Sequence, residues 1–211
     1  MRTVIPAINA ASLKEAEEKI ARAESFAEWV HFDLADGTFT PNKLWGTVPE
    51  IIELQKSFLK PFFEVHLMTR TPFLYGPALL EAGIERVIIH AEVVTEAEVL
   101  EHVRDKRHYM LSLLPETRIE AAMHLLPYFL QYQVLSVHPG SSGQPFQEDI
   151  LPKVQFLRGY LPDATIEVDG GIEDRTAIRA VRAGADTLVS ASYIFGDPSP
   201  EEAYKRLLEA Q

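Results

Sequence analysis

Cysteine is absent from the 211 residues, so no disulfide forms within the chain and no thiolate is available to a metal. Any metal site must be built from imidazole and carboxylate. Positive charge is scarce: 20 Lys and Arg stand against 31 Asp and Glu, a net charge of -11. That balance excludes nucleic acid and an anionic membrane surface as the main partner. It does not exclude a small anion, because backbone N–H groups and helix N-termini hold phosphate whatever the net surface charge. No apolar run approaches the roughly 18 residues of a membrane span. The opening stretch MRTVIPAINAASLKEA is broken by Pro6 and Asn9 before a signal sequence could form. A cytoplasmic protein is expected. No Pro-, Gly- or Ser-rich linker divides the chain, so a single domain over 1–211 is expected, with 46% hydrophobic residues to fill its core.

What is present is a rhythm. Short apolar runs alternate with amphipathic stretches such as SLKEAEEKIARAESFA and SPEEAYKRLLEA from one end to the other. Strands are expected at roughly Thr3 to Asn9, Trp29 to Ala35, Phe62 to Met68, Arg86 to Ala91, Tyr109 to Leu114, Tyr132 to Val137, Thr165 to Asp169 and Thr187 to Ala191. One junction recurs: EAGIERVIIH and RAGADTLVSA both close a helix at Ala-Gly and enter a strand three residues later, which makes Gly83 and Gly184 helix-terminating glycines. A helix-to-strand unit of about two dozen residues, repeated eight times, predicts a single (β/α)8 TIM barrel of α/β class. A doubly wound open sheet is the alternative. It usually carries fewer strands and, for dinucleotides, a Gly-rich first turn that PAINAAS lacks.

The polar residues fall at strand ends, where such a barrel keeps its chemistry. In WVHFDLADG, His31 and Asp33 share the face opposite Val30, Phe32 and Leu34. Burial of such groups is costly without a partner. Glu64 and His66 share a face in FFEVHLM, as do Glu167 and Asp169 in TIEVDGG. If those faces point inward, His31, Asp33, His66 and Asp169 converge at the barrel mouth and suit one divalent metal ion, Zn, Fe, Mn or Co, with open positions for a substrate. Glu64 and Glu167, one layer deeper, either orient the histidines or pair with interior Lys or Arg. His90 and His138 also end strands and either touch a ligand or are structural, whereas His102, His108 and His124 read as surface residues. The loops VHPGSSGQPF, VDGGIED and VSASYIFG follow strands six to eight with small residues that expose backbone N–H groups. They nominate Gly140, Ser141, Ser142, Gly143, Gly170, Gly171, Ala191 and Ser192 as a phosphate seat.

The segments HFDLADGTFTPN, EVHLM, IIHAE, VHPGSSGQPF and EVDGGI stand in the order and spacing of the ribulose-phosphate 3-epimerase family, which the whole chain resembles. The resemblance implies a (β/α)8 barrel, the metal ligands His31, Asp33, His66 and Asp169, a proton-transferring pair Asp33 and Asp169, and His66 beside the substrate. It also implies a homo-oligomer and a phosphorylated ketose as substrate. D-ribulose 5-phosphate, taken to D-xylulose 5-phosphate, is the first candidate. Chemistry agrees: inverting a carbon beside a ketone needs a base on one face, an acid on the other and a charge against the enediolate. The chain departs from the family pattern at Ala7, Ala35, Leu114, Leu135, His138, Ser141, Ser142 and Ala191. The metal set is complete while its surroundings are rewritten. A six-carbon ketose phosphate of the allulose 6-phosphate type is therefore an alternative, given volume freed at Ala35, and so is a barrel that binds a sugar phosphate without turning it over.

Overall fold

In the computed structural model, which describes residues 2–140 and 143–210, eight parallel strands stand in the order β1-β8-β7-β6-β5-β4-β3-β2. They are β1 (Thr3–Pro6), β2 (Trp29–Ala35), β3 (Phe62–Met68), β4 (Arg86–His90), β5 (Tyr109–Leu113), β6 (Gln131–Leu135), β7 (Thr165–Asp169) and β8 (Thr187–Ser190). The sheet closes where β1 meets β2. The N–H of Ala7 donates to the carbonyl of Ser190 on one side and that of Ile8 donates to the carbonyl of His31 on the other, at 3.0 and 2.8 Å. The expected (β/α)8 barrel is therefore what forms. The expected boundaries of β2, β3 and β7 hold to the residue. β1 stops three residues earlier than expected, because beyond Pro6 the chain divides its hydrogen bonds between two neighbours. β6 lies earlier too: it ends at Leu135, and just beyond it the N–H and the hydroxyl of Ser136 both donate to the carbonyl of Asp169, at 2.8 and 2.9 Å.

Helices alternate with the strands: α1 (Leu13–Ala23), α2 (Val48–Lys56), α3 (Pro72–Glu81), α4 (Glu96–His102), α5 (Ile119–Ala122), α6 (Leu151–Tyr160), α7 (Asp174–Ala183), α8 (Ser192–Phe195) and α9 (Pro200–Leu208). Their starts are written locally. At α4 the Glu98 N–H donates to the Thr95 hydroxyl while the Glu98 carboxylate accepts the Thr95 N–H at 2.8 Å, a reciprocal cap. At α1 the Ser12 hydroxyl accepts the N–H of Glu15. No helix among the described residues is long and apolar enough to cross a membrane.

Alternation along each strand separates two interiors. Val30, Phe32 and Leu34 turn outward and are buried against the helices, each contributing about 2 kcal/mol by leaving water. The inward face is mixed. Ile5, Ala7 and Val189 form an apolar cluster on one wall, whereas buried His31, Glu64, Arg86, Ser112, Gln133 and Glu167 occupy the other strands. Strand register makes that polar wall continuous, with His31 beside Glu64, Glu64 beside Arg86, and Gln133 beside Glu167.

Gly83 and Gly184 end α3 and α7 in the left-handed region, as their repeated junction predicts, with φ of +96° and +119°. At Gly184 space is short as well: a Cβ would stand 2.7 Å from the Cβ of Arg158, whose guanidinium donates to the Gly184 carbonyl at 3.0 Å. Gly184→Ala should therefore cost about 1 to 3 kcal/mol and lower Tm by several degrees. A melting curve superimposable on wild type would show that this helix end rearranges freely.

Candidate active site

The side chains that converge at the mouth are placed by register. β2 and β3 pair Asp33 with His66, and Glu64 sits next to His31 one step deeper. The Nδ1 of His31 lies 2.7 Å from Glu64 Oε1, and its Nε2 lies 3.2 Å from Asp33 Oδ1 and 4.0 Å from Asp169 Oδ2. The Nδ1 of His66 lies 2.9 Å from Asp33 Oδ1, and its Nε2 lies 2.8 Å from Nε2 of His90. One nitrogen or oxygen from each of His31, Asp33, His66 and Asp169 falls within 4.8 Å of the other three. The four expected ligands thus come together, from three strands.

This donor set fits a divalent cation. Glu64 is ionised between Arg86 and His31, so it accepts the Nδ1–H of His31 and leaves Nε2 directed at Asp33 and Asp169. A cation that takes the place of the Nε2 proton of His31 would then meet lone pairs of two imidazoles and two carboxylates at one point. His31, Glu64 and Glu167 also approach within 4.8 Å of one another, but the guanidinium of Arg86 already forks onto Glu64 and reaches Glu167 at 3.4 Å.

The two glutamates are unlike, although both are fully buried. Arg86 Nε donates to Glu64 Oε2 at 2.8 Å and its terminal nitrogen closes the fork on the same oxygen. Glu167 receives that nitrogen only at 3.4 Å and the amide of Gln133 at 3.0 Å. Burial opposes charge on Glu64, but Arg86 and His31 outweigh it and hold its carboxyl below the usual range. Burial and the charge of Glu64 push Glu167 up to about 8. Both sequence readings of these residues hold together: Glu64 orients His31 and also pairs with an interior arginine.

The aspartates split the same way. Burial opposes ionisation of Asp33, yet His31 and His66 overcome it and hold its carboxyl far below the usual range. Asp169 is pushed up to about 7, by burial first and then by the charges of Asp33 and Glu64, against the attraction of His31. His31 is raised well above its ordinary value, since Asp33 and Glu64 outweigh its burial. His66 is pushed down to about 4, chiefly by burial.

Above this cluster opens a cavity of about 350 Å³, lined by Asp33, His66, Asp169, Gly140, Gly143, Gly170, Gly171, Ala191 and Ser192 among others. Ser141 and Ser142 lie outside the described residues. Gly171 is required by a close approach: with φ +59°, its Cβ would stand 2.7 Å from the backbone nitrogen of Phe146. Ala7, Leu135 and Ala191 face the cavity, whereas Ala35 and Leu114 are not among its lining residues. His90 is buried against His66, and His138 lines the rim and pairs with Glu116 at 2.7 Å. His124 is exposed as expected. His102 and His108 are half-buried instead, His102 stacked on Phe73 and His108 held by the Glu85 carbonyl. Sequence reasoning missed Arg86, which alternation back from His90 through Ile88 would have placed inward. It also missed Trp45 and Leu44, which reach the cavity from a loop with no periodicity.

Fold and site define a (β/α)8 barrel enzyme whose chemistry sits at the strand C-termini. Among solved structures, 3-hexulose-6-phosphate synthase superposes with a TM-score of 0.74 at 16% identity, covering 100% of this chain and 99% of that one. 3-keto-L-gulonate-6-phosphate decarboxylase from Vibrio cholerae gives 0.74 at 12% identity over 99% and 96%. At such identities the likeness is one of fold. Sequence is more specific: the profile of the ribulose-phosphate 3 epimerase family matches residues 3–195. The ribulose-phosphate 3-epimerase of Chlamydia muridarum is 37% identical over 193 residues, 88% of this chain and 84% of that one. That of Schizosaccharomyces pombe is 30% identical over 210 residues, 97% and 91%. The chain belongs to the ribulose-phosphate 3-epimerase family, and is thus an isomerase of sugar-phosphate epimerase type.

The unequal glutamates should respond unequally to an amide. Glu64→Gln leaves Arg86 buried without its anion and should cost about 3 kcal/mol or more, whereas Glu167→Gln replaces a protonated acid with its isostere and should stay within about 1 kcal/mol of wild type at pH 6. The pH sign follows from the raised value. Between 4.5 and about 8 the folded protein keeps a proton on Glu167 that the unfolded chain has released, so this group's contribution falls as pH rises through that window. Urea unfolding at pH 6 and pH 9 should show Glu167→Gln gaining on wild type at the higher pH. Equal losses from both substitutions would mean that Arg86 shares its charge evenly.

Proposed function

We propose that the protein interconverts D-ribulose 5-phosphate and D-xylulose 5-phosphate by proton transfer at C3, with Asp33 and Asp169 as the two acid–base groups. The observation that carries this reading is the pair of carboxyls at the cavity floor, Asp33 on β2 with the imidazoles of His31 and His66 at 3.2 and 2.9 Å and Asp169 on β7 with His31 only at 4.0 Å. Epimerisation asks for that asymmetry, a base on one face of C3 and an acid on the other, and the roles exchange in the reverse direction. Asp33 accepts the C3 proton and Asp169 delivers one to the opposite face, while His31 and His66 hold Asp33 in place. A divalent cation held by His31, Asp33, His66 and Asp169 supplies, when bound, the positive charge that stabilises the enediolate.

No Lys or Arg occurs among the residues described as lining the cavity. Attraction for the phosphate therefore falls to backbone N–H groups in the loops at Gly170 to Ile172 and Ala191 to Ser192, and to the first turn of α8. Ala35, whose small side chain motivated a six-carbon substrate, does not line the cavity, which favours the pentulose phosphate. Comparing kcat/KM on ribulose 5-phosphate and allulose 6-phosphate decides between them. Solvent deuterium should enter C3 of ribulose 5-phosphate, and metal-loaded protein that binds the sugar without exchange would overturn the catalytic assignment.

Asp169→Asn should keep the fold and much of the metal affinity while cutting turnover at least about 10²-fold, since the amide carries no transferable proton. Activity within a few-fold of wild type would remove Asp169 from the chemistry. His66→Ala should first lower bound metal, measured per chain by elemental analysis, and activity as a consequence. Unchanged metal content would make His66 a packing residue.

Ser192→Asp tests the phosphate seat, because a carboxylate at the start of α8 repels an anion there. KM for the phosphorylated sugar should rise steeply and kcat/KM should fall further, since remote binding energy also positions C3. Metal content should not change. An equal loss on an unphosphorylated ketose would move the phosphate elsewhere, with the loop between Gly140 and Gly143 next to test.

A further inference from the structure

The cavity above the aspartates shares a wall with a second cavity outside it. Gly143, Gly171, Ile172 and Ser192 line both, and Tyr193 lines the outer one. Much of that wall is the two loops to which the phosphate is assigned, one after β7 and one after β8, so the distance between them shapes the seat. The first loop is fastened by hydroxyls. Thr176 donates to the Gly171 carbonyl at 2.8 Å, and buried Ser190, where β8 ends, donates to the Ile172 carbonyl at 2.9 Å. The second loop runs at once into α8, which has four residues. A helix of one turn is marginal by itself, so its place is set by what its side chains touch. Ile194 anchors it in the core, and Tyr193, next to Ser192, anchors it at the surface.

The phenol of Tyr193 is held from two directions. Arg206 Nε donates to its oxygen at 2.8 Å, while the same guanidinium donates to Asp197 Oδ2 at 2.7 Å and lies 5.4 Å from the ring centroid. A guanidinium only donates, so the phenol oxygen accepts there and its own proton goes to the carboxylate of Asp174. Asp174 is the first residue of α7, three beyond Gly171. One hydrogen bond thus joins the far ends of the two phosphate loops, as the bond from Ser190 to Ile172 joins them where β8 ends. Asp197 and Arg206 lie beyond residues 3–195, the span that matches the family.

We infer that Tyr193, aimed by Arg206 and bonded to Asp174, is a positioning residue that fixes the spacing of the two loops around the substrate's phosphate. The inference rests on the phosphate seat proposed above. With no Lys or Arg among the described residues lining the cavity, N–H groups of two loops must reach one anion together, and such bonds weaken steeply with distance and angle. Folding depends little on the link, because pairs this exposed contribute little to stability.

Calorimetric Kd for D-ribulose 5-phosphate and kcat on the same sugar, measured on intact metal-loaded protein, test the link. Tyr193→Phe keeps the ring and loses only the hydroxyl, so Kd should rise about 3- to 10-fold, the worth of one hydrogen bond. Its kcat should stay within about twofold of wild type, and its Tm within a few degrees. Asp174→Ala should raise Kd by the same factor. Asp174→Asn, whose amide oxygen can still accept from the phenol, should return Kd to within about twofold of wild type. Combining Tyr193→Phe with Asp174→Ala should be no worse than either alone, because both remove one bond. A wild-type Kd in Tyr193→Phe, an Asp174→Asn variant as weak as Asp174→Ala, or losses that multiply in the double variant would each overturn the link. Ser192→Asp separates this inference from the reading beneath it. An unmoved Kd in Ser192→Asp overturns the phosphate seat and the link with it, whereas a raised Kd there beside a wild-type Kd in Tyr193→Phe overturns the link alone.

Discussion

The guanidinium of Arg86 lies between Glu64 and Glu167 inside the barrel, and the order of the site above follows from that contact. An arginine cannot shed its charge, so its burial requires an anion, and Glu64 is the one it holds in a close fork. Glu64 is thereby ionised and accepts a hydrogen bond from the Nδ1–H of His31. His31 in turn presents its other nitrogen upward to the aspartates. Glu167, left with the weaker contact, stays neutral. A chain of hydrogen bonds thus carries the position of one charge from the barrel interior to its mouth.

At the mouth the same economy of charge separates two chemically identical side chains. Asp33 has two imidazoles within hydrogen-bond reach and is the ionised member. Asp169 is farther from His31 and feels Asp33 as a like charge. Two carboxylates with opposed environments are the arrangement that acid–base chemistry on the two faces of one carbon requires. Each histidine of the cluster is backed by a carboxylate, directly for His31 through Glu64 and at one remove for His66 through His90 and Glu92.

The departures from the family pattern separate by place. Ala7, Leu135 and Ala191 reach the cavity, so they bear on how a substrate fits, while Ala35 and Leu114 lie away from it. Leu114 instead gives its N–H to Glu92, a backbone contact that any side chain there would preserve.

Much of this was legible in the chain alone. Alternation within WVHFDLADG, FFEVHLM and TIEVDGG determined which residues point inward, because a strand offers only two faces. The Ala-Gly junctions determined where two helices stop, because the left-handed turn there suits glycine. The absence of cysteine determined the donor chemistry of a metal site. Tertiary structure alone decided the pairings. That Arg86 favours Glu64 over Glu167, that His90 rather than His138 stands behind a ligand, and that Ala35 misses the cavity all depend on register between strands far apart in sequence. Face is a property of a residue and its immediate neighbours, and so it is written locally. Distance between faces is set only when eight strands close on one another, and a protonation state follows from distances of about an ångström that no local pattern encodes.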